Sequence, residues 1–436
     1  MYKNIKIYQY IIKLTIFMTY TRNKRNKKKI SKIHHNKKKS RRQRQRQKVH
    51  MLKNKTPRNI RILSEDIAES LDNAESLDSL DKRGVAQGIE SYRPTINEML
   101  VSLKSDTREK FTDCNNKKAF KLLEPLQISV SDNMFGTECV PYYEVAAKQK
   151  LLKNLSANKH VKVGKIVPPK QIKSNCWFNA MFTTLFVSDK GRQFFHYFRQ
   201  LMIEGRMANG QPIPHKLRDA FALLNFAVDS ALTGSEYAYE LDTNNIIKTI
   251  YHNIPTKFNK TTPYIVDVDE ASNPIKYYMS IIHYLDNKSI ELLFVQSISN
   301  GADSWRERTI VEMKKVNHIP HVIVLEIFDS NDGTPGDSGK IKDKVTEFTI
   351  DGSTYILDSC VIRDIDQQHF CATITCEGKE MGYDGMSFHR LVPMKWSNKL
   401  NTSFEWGFDG STDLDENPLK WSFTHGYQML IYYRVK

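Results

Sequence analysis

The chain has 436 residues, 40% hydrophobic and 11% aromatic, enough to bury a sizeable core and too many for disorder throughout. Its net charge of +16 is unevenly placed: residues 1–58 hold 21 Lys/Arg and no acid, whereas 59–436 hold 44 Lys/Arg against 49 Asp/Glu. The positive charge therefore belongs to a leader, and the remainder is excluded as a basic nucleic-acid-binding domain.

Residues 1–20 carry a short apolar run from Ile11 to Met18, broken by Lys13. A spanning helix needs about 20 apolar residues, so no transmembrane segment is expected. No small-residue cleavage site follows, which argues against a secretory signal. An interfacial helix stays open, as does an upstream start codon with Met18 or Met51 as the true start.

Residues 22–58 interleave 18 Lys/Arg with Asn, Gln and His and offer almost nothing to bury, the composition of a solvated, disordered tract. Such a tract is expected either to bind nucleic acid non-specifically or direct nuclear import, or to have no specific partner. Without aromatic residues it lacks platforms for base stacking. Residues 61–160 read as a linker with short helices. They hold an acidic repeat, Glu69-Ser-Leu-Asp72 and Glu75-Ser-Leu-Asp78, and a helical pattern over 95–104.

From 161 to 436 the texture is globular. Pro168 and Pro169 cannot continue a helix, and apolar residues at 177, 178, 181, 182, 185 and 186 then follow helical spacing, with Ser174 or Asn175 as N-cap. Cys176 thus falls at the first turn of a buried helix, where unpaired N–H groups and the macrodipole favour a thiolate. Gln171, five residues upstream, supplies a neutral amide donor for an oxyanion. A purely structural, buried cysteine is the alternative.

Helical patterns follow over 193–203 and 217–232, the second apolar nearly all round, and a third opens at Asn273-Pro274 and runs to 285. Short runs rich in Ile, Val, Thr and aromatics then predict strands over 292–298, 321–328, 347–350, 354–363, 370–376 and 427–433. Helices first and strands afterwards predict an α+β fold with a largely antiparallel sheet. The six cysteines, at 114, 139, 176, 360, 371 and 376, form no C-x-x-C pair and predict neither a disulfide framework nor a zinc site. A reducing, intracellular compartment is expected.

His369 opens the strand over 370–376 after a polar turn, and Tyr383-Asp384-Gly385, a turn signal, follows fifteen residues later. A hairpin there would return Asp384 beside His369. Cysteine, histidine and carboxylate in that order are the nucleophile, base and orienter of a thiol hydrolase. Each residue alone has an ordinary structural reading; their joint order gives the set its meaning.

Four stretches then resemble the ubiquitin-specific proteases, the papain-like cysteine deubiquitinases. Residues 171–180 are similar to the family's cysteine box, including Asn179. Residues 319–328 resemble its Leu-Pro strand, and 355–362 through His369-Phe370 its Tyr-x-Leu strand and histidine box. Residues 427–434 resemble the closing Ala-Tyr-x-Leu-x-Tyr strand. The resemblance spans 165–436 and implies a papain-like fold, with a thumb of helices and a palm of antiparallel sheet. It implies Cys176 as nucleophile, His369 as base, Asp384 as orienter and Gln171 as oxyanion donor. The implied activity is removal of ubiquitin or a ubiquitin-like modifier from proteins, with no cofactor.

Departures mark a diverged member: Gln171 stands where Asn is usual, Gln368 where Gly is usual, Thr183-Thr184 where a Gln is usual, and paired zinc-binding cysteines are absent. The Lys/Asn-rich composition fits an AT-rich genome, with a large DNA virus as the expected source and the host cytoplasm, nucleus or virion as the place of action. Two other readings stand beside the hydrolase: a catalytically silent ubiquitin-binding module, and a virion or nucleic-acid-associated protein governed by the leader.

Overall fold

Two periods of hydrophobicity, near 3.6 and 2, divide the apolar residues between a helical layer and a sheet. The computed structural model describes residues 108–111, 114–132, 136–157, 160–255, 258, 274–286, 292–297, 305–316, 319–327, 344–366 and 369–436. All fall within one compact unit, Asn73–Lys436. The basic leader and the helical pattern over 95–104 lie outside the described residues.

The helices are α1 (Val145–Ser156), α2 (Cys176–Phe186), α3 (Asp189–Glu204), α4 (His215–Thr233), α5 (Thr243–Asn253), α6 (Pro274–Leu285) and α7 (Trp305–Val316). The first six contribute to one core, in which Trp177 and Phe178 of α2 meet Tyr277 and Tyr278 of α6 at ring separations of 5.1–5.5 Å. α4 is buried along most of its length, as its apolar circumference predicts. It ends at Gly234, where φ is 61° and a Cβ would lie 2.0 Å from Lys165 O, so only glycine fits. No described helix is long and apolar enough to cross a membrane.

The main sheet comprises β3 (Leu292–Ser297), β4 (Val322–Ile327), β5 (Glu347–Ile350), β6 (Ser353–Arg363), β7 (Phe370–Cys376), β8 (Lys379–Tyr383), β9 (Leu391–Pro393) and β12 (Gln428–Arg434). Its order is β3-β4-β12-β6-β7-β8-β9, with β5 also on β6, and only β3 and β4 pair in parallel. The expected helix and strand mixture with a largely antiparallel sheet is thus present. Both faces are apolar. Met429, Ile431 and Tyr433 of β12 enter the helical core, while Leu430 and Tyr432 point to a second core with Trp305, Phe348, Trp396 and Trp421. A two-stranded ribbon, β10 (Glu405–Trp406) with β11 (Trp421–Ser422), covers part of that second face.

Residues 108–157 differ from a bare linker with short helices. β1 (Gln127–Asp132) and β2 (Gly136–Pro141) form an antiparallel hairpin, and Phe111, Phe120, Ile128, Ala147 and Leu151 belong to the helical core. Here the cysteine expectation is corrected: Cys114 and Cys139 form a disulfide. The two lie 25 residues apart and match no spacing motif; Asn116, hydrogen-bonded to Gln127 at the start of β1, holds the chain at Cys114 against the hairpin that carries Cys139. The reading of a reducing compartment, which rested on unpaired cysteines, loses that support.

One charge beneath the start of α3 carries a measurable consequence. Asp358 of β6 is 3% exposed; Oδ1 accepts from Lys190 N at 3.3 Å, and Oδ2 has no hydrogen-bond partner. Burial pushes its carboxyl up to about 7, against the smaller opposing effect of Ser188. An acid raised in the folded state destabilises it once ionised, a penalty absent below about pH 3.9 and complete above about 7. Asp358→Asn is therefore expected to gain about 2–4 kcal/mol at pH 8 and almost nothing at pH 4. Urea unfolding at both pH values checks this, and equal stabilities at pH 8 would refute it.

Candidate active site

The loop before α2 is shaped by side-chain amides rather than by helix capping. Lys173 turns it through the left-handed region, at φ 61°. Asn175 Oδ1 accepts from Ile172 N at 3.0 Å, and its Nδ2 donates to Thr243 Oγ1 at 3.0 Å. Asn179 Nδ2 donates to Lys170 O at 3.1 Å and Asn244 Nδ2 to Ile172 O at 3.0 Å, while Thr243 Oγ1 donates to Asn179 Oδ1 at 2.8 Å. The start of α5 thus grips the loop. Asn175 is the N-cap residue of α2, but its side chain makes no capping bond and leaves the first-turn N–H groups uncovered from that position. Cys176, the first residue of α2, is 9% exposed.

His369 precedes β7 and Asp384 follows β8. The antiparallel register, Ala372 opposite Tyr383, brings the two side chains to one end of the hairpin. Nε2 of His369 lies 2.5 Å from Oδ1 of Asp384, with side-chain exposures of 3% and 0%. Behind the histidine, Asp364 Oδ1 accepts from His369 N at 2.5 Å and Asp364 N donates to His369 O at 2.8 Å, closing the β6–β7 turn. Trp421 packs against the imidazole at 5.8 Å and 64°. Nδ1, the other ring nitrogen, is buried without a hydrogen-bond partner of normal geometry. Burial disfavours the charged ring, but hydrogen bonding and charge from Asp384 and from Cys176 outweigh it and raise His369 to about 10. Cys176 and Asp384 are thus the two neighbours that favour the proton on this ring.

Three contacts join the cysteine loop to the hairpin end. Tyr383 OH donates to Pro169 O at 2.7 Å, Arg390 Nη1 to Pro168 O at 2.7 Å, and Gln171 N to Gly385 O at 2.9 Å. Gly385 allows this approach, since a Cβ there would lie 2.9 Å from Gln171 N.

Of the residues singled out from sequence, Cys176, His369 and Asp384 converge. Gln171 lies at the same place, but its Nε2 donates to Lys173 O at 3.1 Å, and its Oε1 is buried without a partner. Sequence reasoning missed Ser411, whose hydroxyl donates to Asp384 Oδ2, and Trp421; a serine and a tryptophan in a polar stretch give no periodic signal. Among the described residues, no group of His, Cys, Asp or Glu is arranged to hold a metal ion.

No protein-family model matches the sequence, and no curated protein matches it. Among solved structures, it overlaps the SAGA DUB module containing Ubp8 bound to monoubiquitin, at 9% identity and a TM-score of 0.37, covering 63% of this chain and 70% of that one. An essential yeast splicing factor overlaps at 8% identity and a TM-score of 0.35, covering 69% and 82%. The SAGA DUB module bound to ubiquitin aldehyde overlaps at 9% and 0.34, covering 63% and 70%. Overlaps this loose decide neither the fold family nor the activity.

Proposed function

We propose that the protein is a papain-like cysteine hydrolase that releases ubiquitin or a ubiquitin-like modifier from isopeptide or thioester linkage. One observation carries the hydrolase reading: a buried, hydrogen-bonded His369–Asp384 pair set against Cys176 at the start of α2. The modifier as substrate rests on the four stretches that resemble the ubiquitin-specific proteases.

In this reading the proton of the Cys176 thiol rests on His369, and Asp384 holds the ring in place. The sulfur attacks the carbonyl carbon of the modifier's C-terminal residue. The oxyanion is met by first-turn N–H groups of α2 and by the second amide hydrogen of Gln171. The C–N bond then breaks as His369 passes its proton to the departing lysine ε-amine, leaving a thioester on Cys176. Water gives a proton to His369 as it attacks the thioester. The S–C bond breaks, the modifier leaves as a carboxylic acid, and the cysteine–histidine pair is restored.

A silent binding module is the competing reading, favoured by the engagement of Gln171 with Lys173 O and by the lack of a hydrogen bond of normal geometry at Nδ1 of His369. Ubiquitin carrying a thiol-reactive electrophile at its C-terminus separates the two. Wild type is expected to form a covalent adduct and Cys176→Ser none. If wild type stays unlabelled by ubiquitin and ubiquitin-like probes alike, the hydrolase reading fails and the binding module takes its place.

A further inference from the structure

Asp384 offers two oxygens, and the bond to His369 occupies only one of them. Oδ1 receives His369 Nε2 at 2.5 Å and Met386 N at 3.1 Å. Oδ2 receives the hydroxyl of Ser411, 27 residues further along the chain and 1% exposed. We propose that Ser411 is a positioning residue of this site: its hydroxyl fixes the plane of the Asp384 carboxylate and, through it, the direction in which His369 faces Cys176. Its role in turnover rests on the hydrolase reading above.

The placement of Ser411 is over-determined by backbone contacts, as such a role requires. Ser411 N donates to Phe408 O at 3.1 Å, closing a four-residue turn whose third position, Gly410, has φ 86°. That conformation belongs to glycine, and a Cβ at Gly410 would also come within 2.9 Å of the Phe388 ring. The same turn is bound to the segment that carries Asp384: Asp409 O accepts from Phe388 N at 3.0 Å and from Ser387 Oγ at 3.1 Å. From the other side, Leu419 N donates to Ser411 O at 3.0 Å. Trp421, packed 5.3 Å from Phe408 and 5.8 Å from the imidazole, walls the pair on this side. A carboxylate held by donors on both oxygens cannot swing about its Cβ–Cγ bond without breaking a buried hydrogen bond. Without the Ser411 hydroxyl, only the two bonds on Oδ1, from His369 and Met386, resist that rotation.

A serine that merely satisfied a buried acceptor would affect unfolding and leave turnover alone. The test therefore uses the full chain with Ser411→Ala and Ser411→Thr, reading kcat and KM on a ubiquitin C-terminal fluorogenic substrate together with the downfield proton resonance of the His369–Asp384 bond. Ser411→Ala is expected to lower kcat about 10-fold with KM within about twofold, and to broaden the resonance by faster solvent exchange. Ser411→Thr, which keeps the hydroxyl, is expected to restore both. Should Ser411→Ala not fold, Ser411→Cys, nearly isosteric with a weak donor, is read in its place. A resonance unchanged on loss of the hydroxyl overturns the inference whatever the kinetics show. A wild type without turnover whose resonance still depends on Ser411 overturns the hydrolase reading and leaves the positioning contact standing.

Discussion

Asp384→Ala is expected to lower kcat by roughly 10³-fold or more, because the ring that must hold and pass the proton loses its orienter. The variant should also change how the protein responds to pH. In the folded chain burial works against the charged imidazole, and Asp384 is the first of the groups that raise it, to about 10. Below about pH 6.5 folded and unfolded chains both carry this proton, and the stabilisation is complete. As pH climbs toward 10 the folded chain gives the proton up, and the stabilisation is lost. Wild type should therefore lose stability between these limits, and its alkaline limb of activity should lie near the upper one. Without Asp384 only Cys176 is left to oppose burial, so the limb should move to lower pH and the slope in stability should shrink. A pH–rate profile with urea unfolding at pH 6, 8 and 10 measures both, and a variant that keeps the wild-type alkaline limb would refute the pairing.

Asp229→Ala is expected to destabilise the protein by about 3–5 kcal/mol, because it strips the carboxylate from two buried guanidinium groups. Arg108 and Arg199 both meet Asp229 Oδ1, the latter at 2.9 Å, and the three side chains are 4%, 1% and 0% exposed. Arg199 comes from α3, Asp229 from α4 and Arg108 from the chain ahead of β1, so one carboxylate ties three segments. Burial lowers Arg108 to about 10 even with Asp229 opposing it. Denaturant unfolding measures the effect, and a loss below about 1 kcal/mol would show that the arginines are satisfied elsewhere.

Much of this arrangement is legible in residue order alone, and the exceptions have physical causes. Strands at Glu347–Ile350 and Phe370–Cys376 coincide with the β-rich runs, because side chains buried on alternate faces leave an apolar record in the sequence. The same holds for α2, whose apolar rows press into the helical core. α7 left little trace: among its described residues Trp305, Thr309 and Met313 are buried, spaced four apart among charges. The Cys114–Cys139 bond is invisible to spacing because proximity arises only when the chain around the β1–β2 hairpin folds. Cys176, His369 and Asp384 could be singled out because each sits where an element starts or ends. Ser411 could not, since its meaning comes from a turn packed against another turn. Gln171 shows the opposite failure: its position was legible, but its hydrogen bond to Lys173 O was not.

The contacts that join the cysteine loop to the hairpin end grip Pro168 O, Pro169 O and Gln171 N, all main-chain atoms. Two of them come from the side chains of Tyr383 and Arg390, at the sheet end of the site. The instructions for aligning the nucleophile are therefore written mainly outside the segment being aligned. Residues 168–171 can change identity with little effect on registration, provided their backbone path survives. A change at Tyr383 or Arg390 would be felt at Cys176, on another layer of the molecule and more than two hundred residues earlier in the chain.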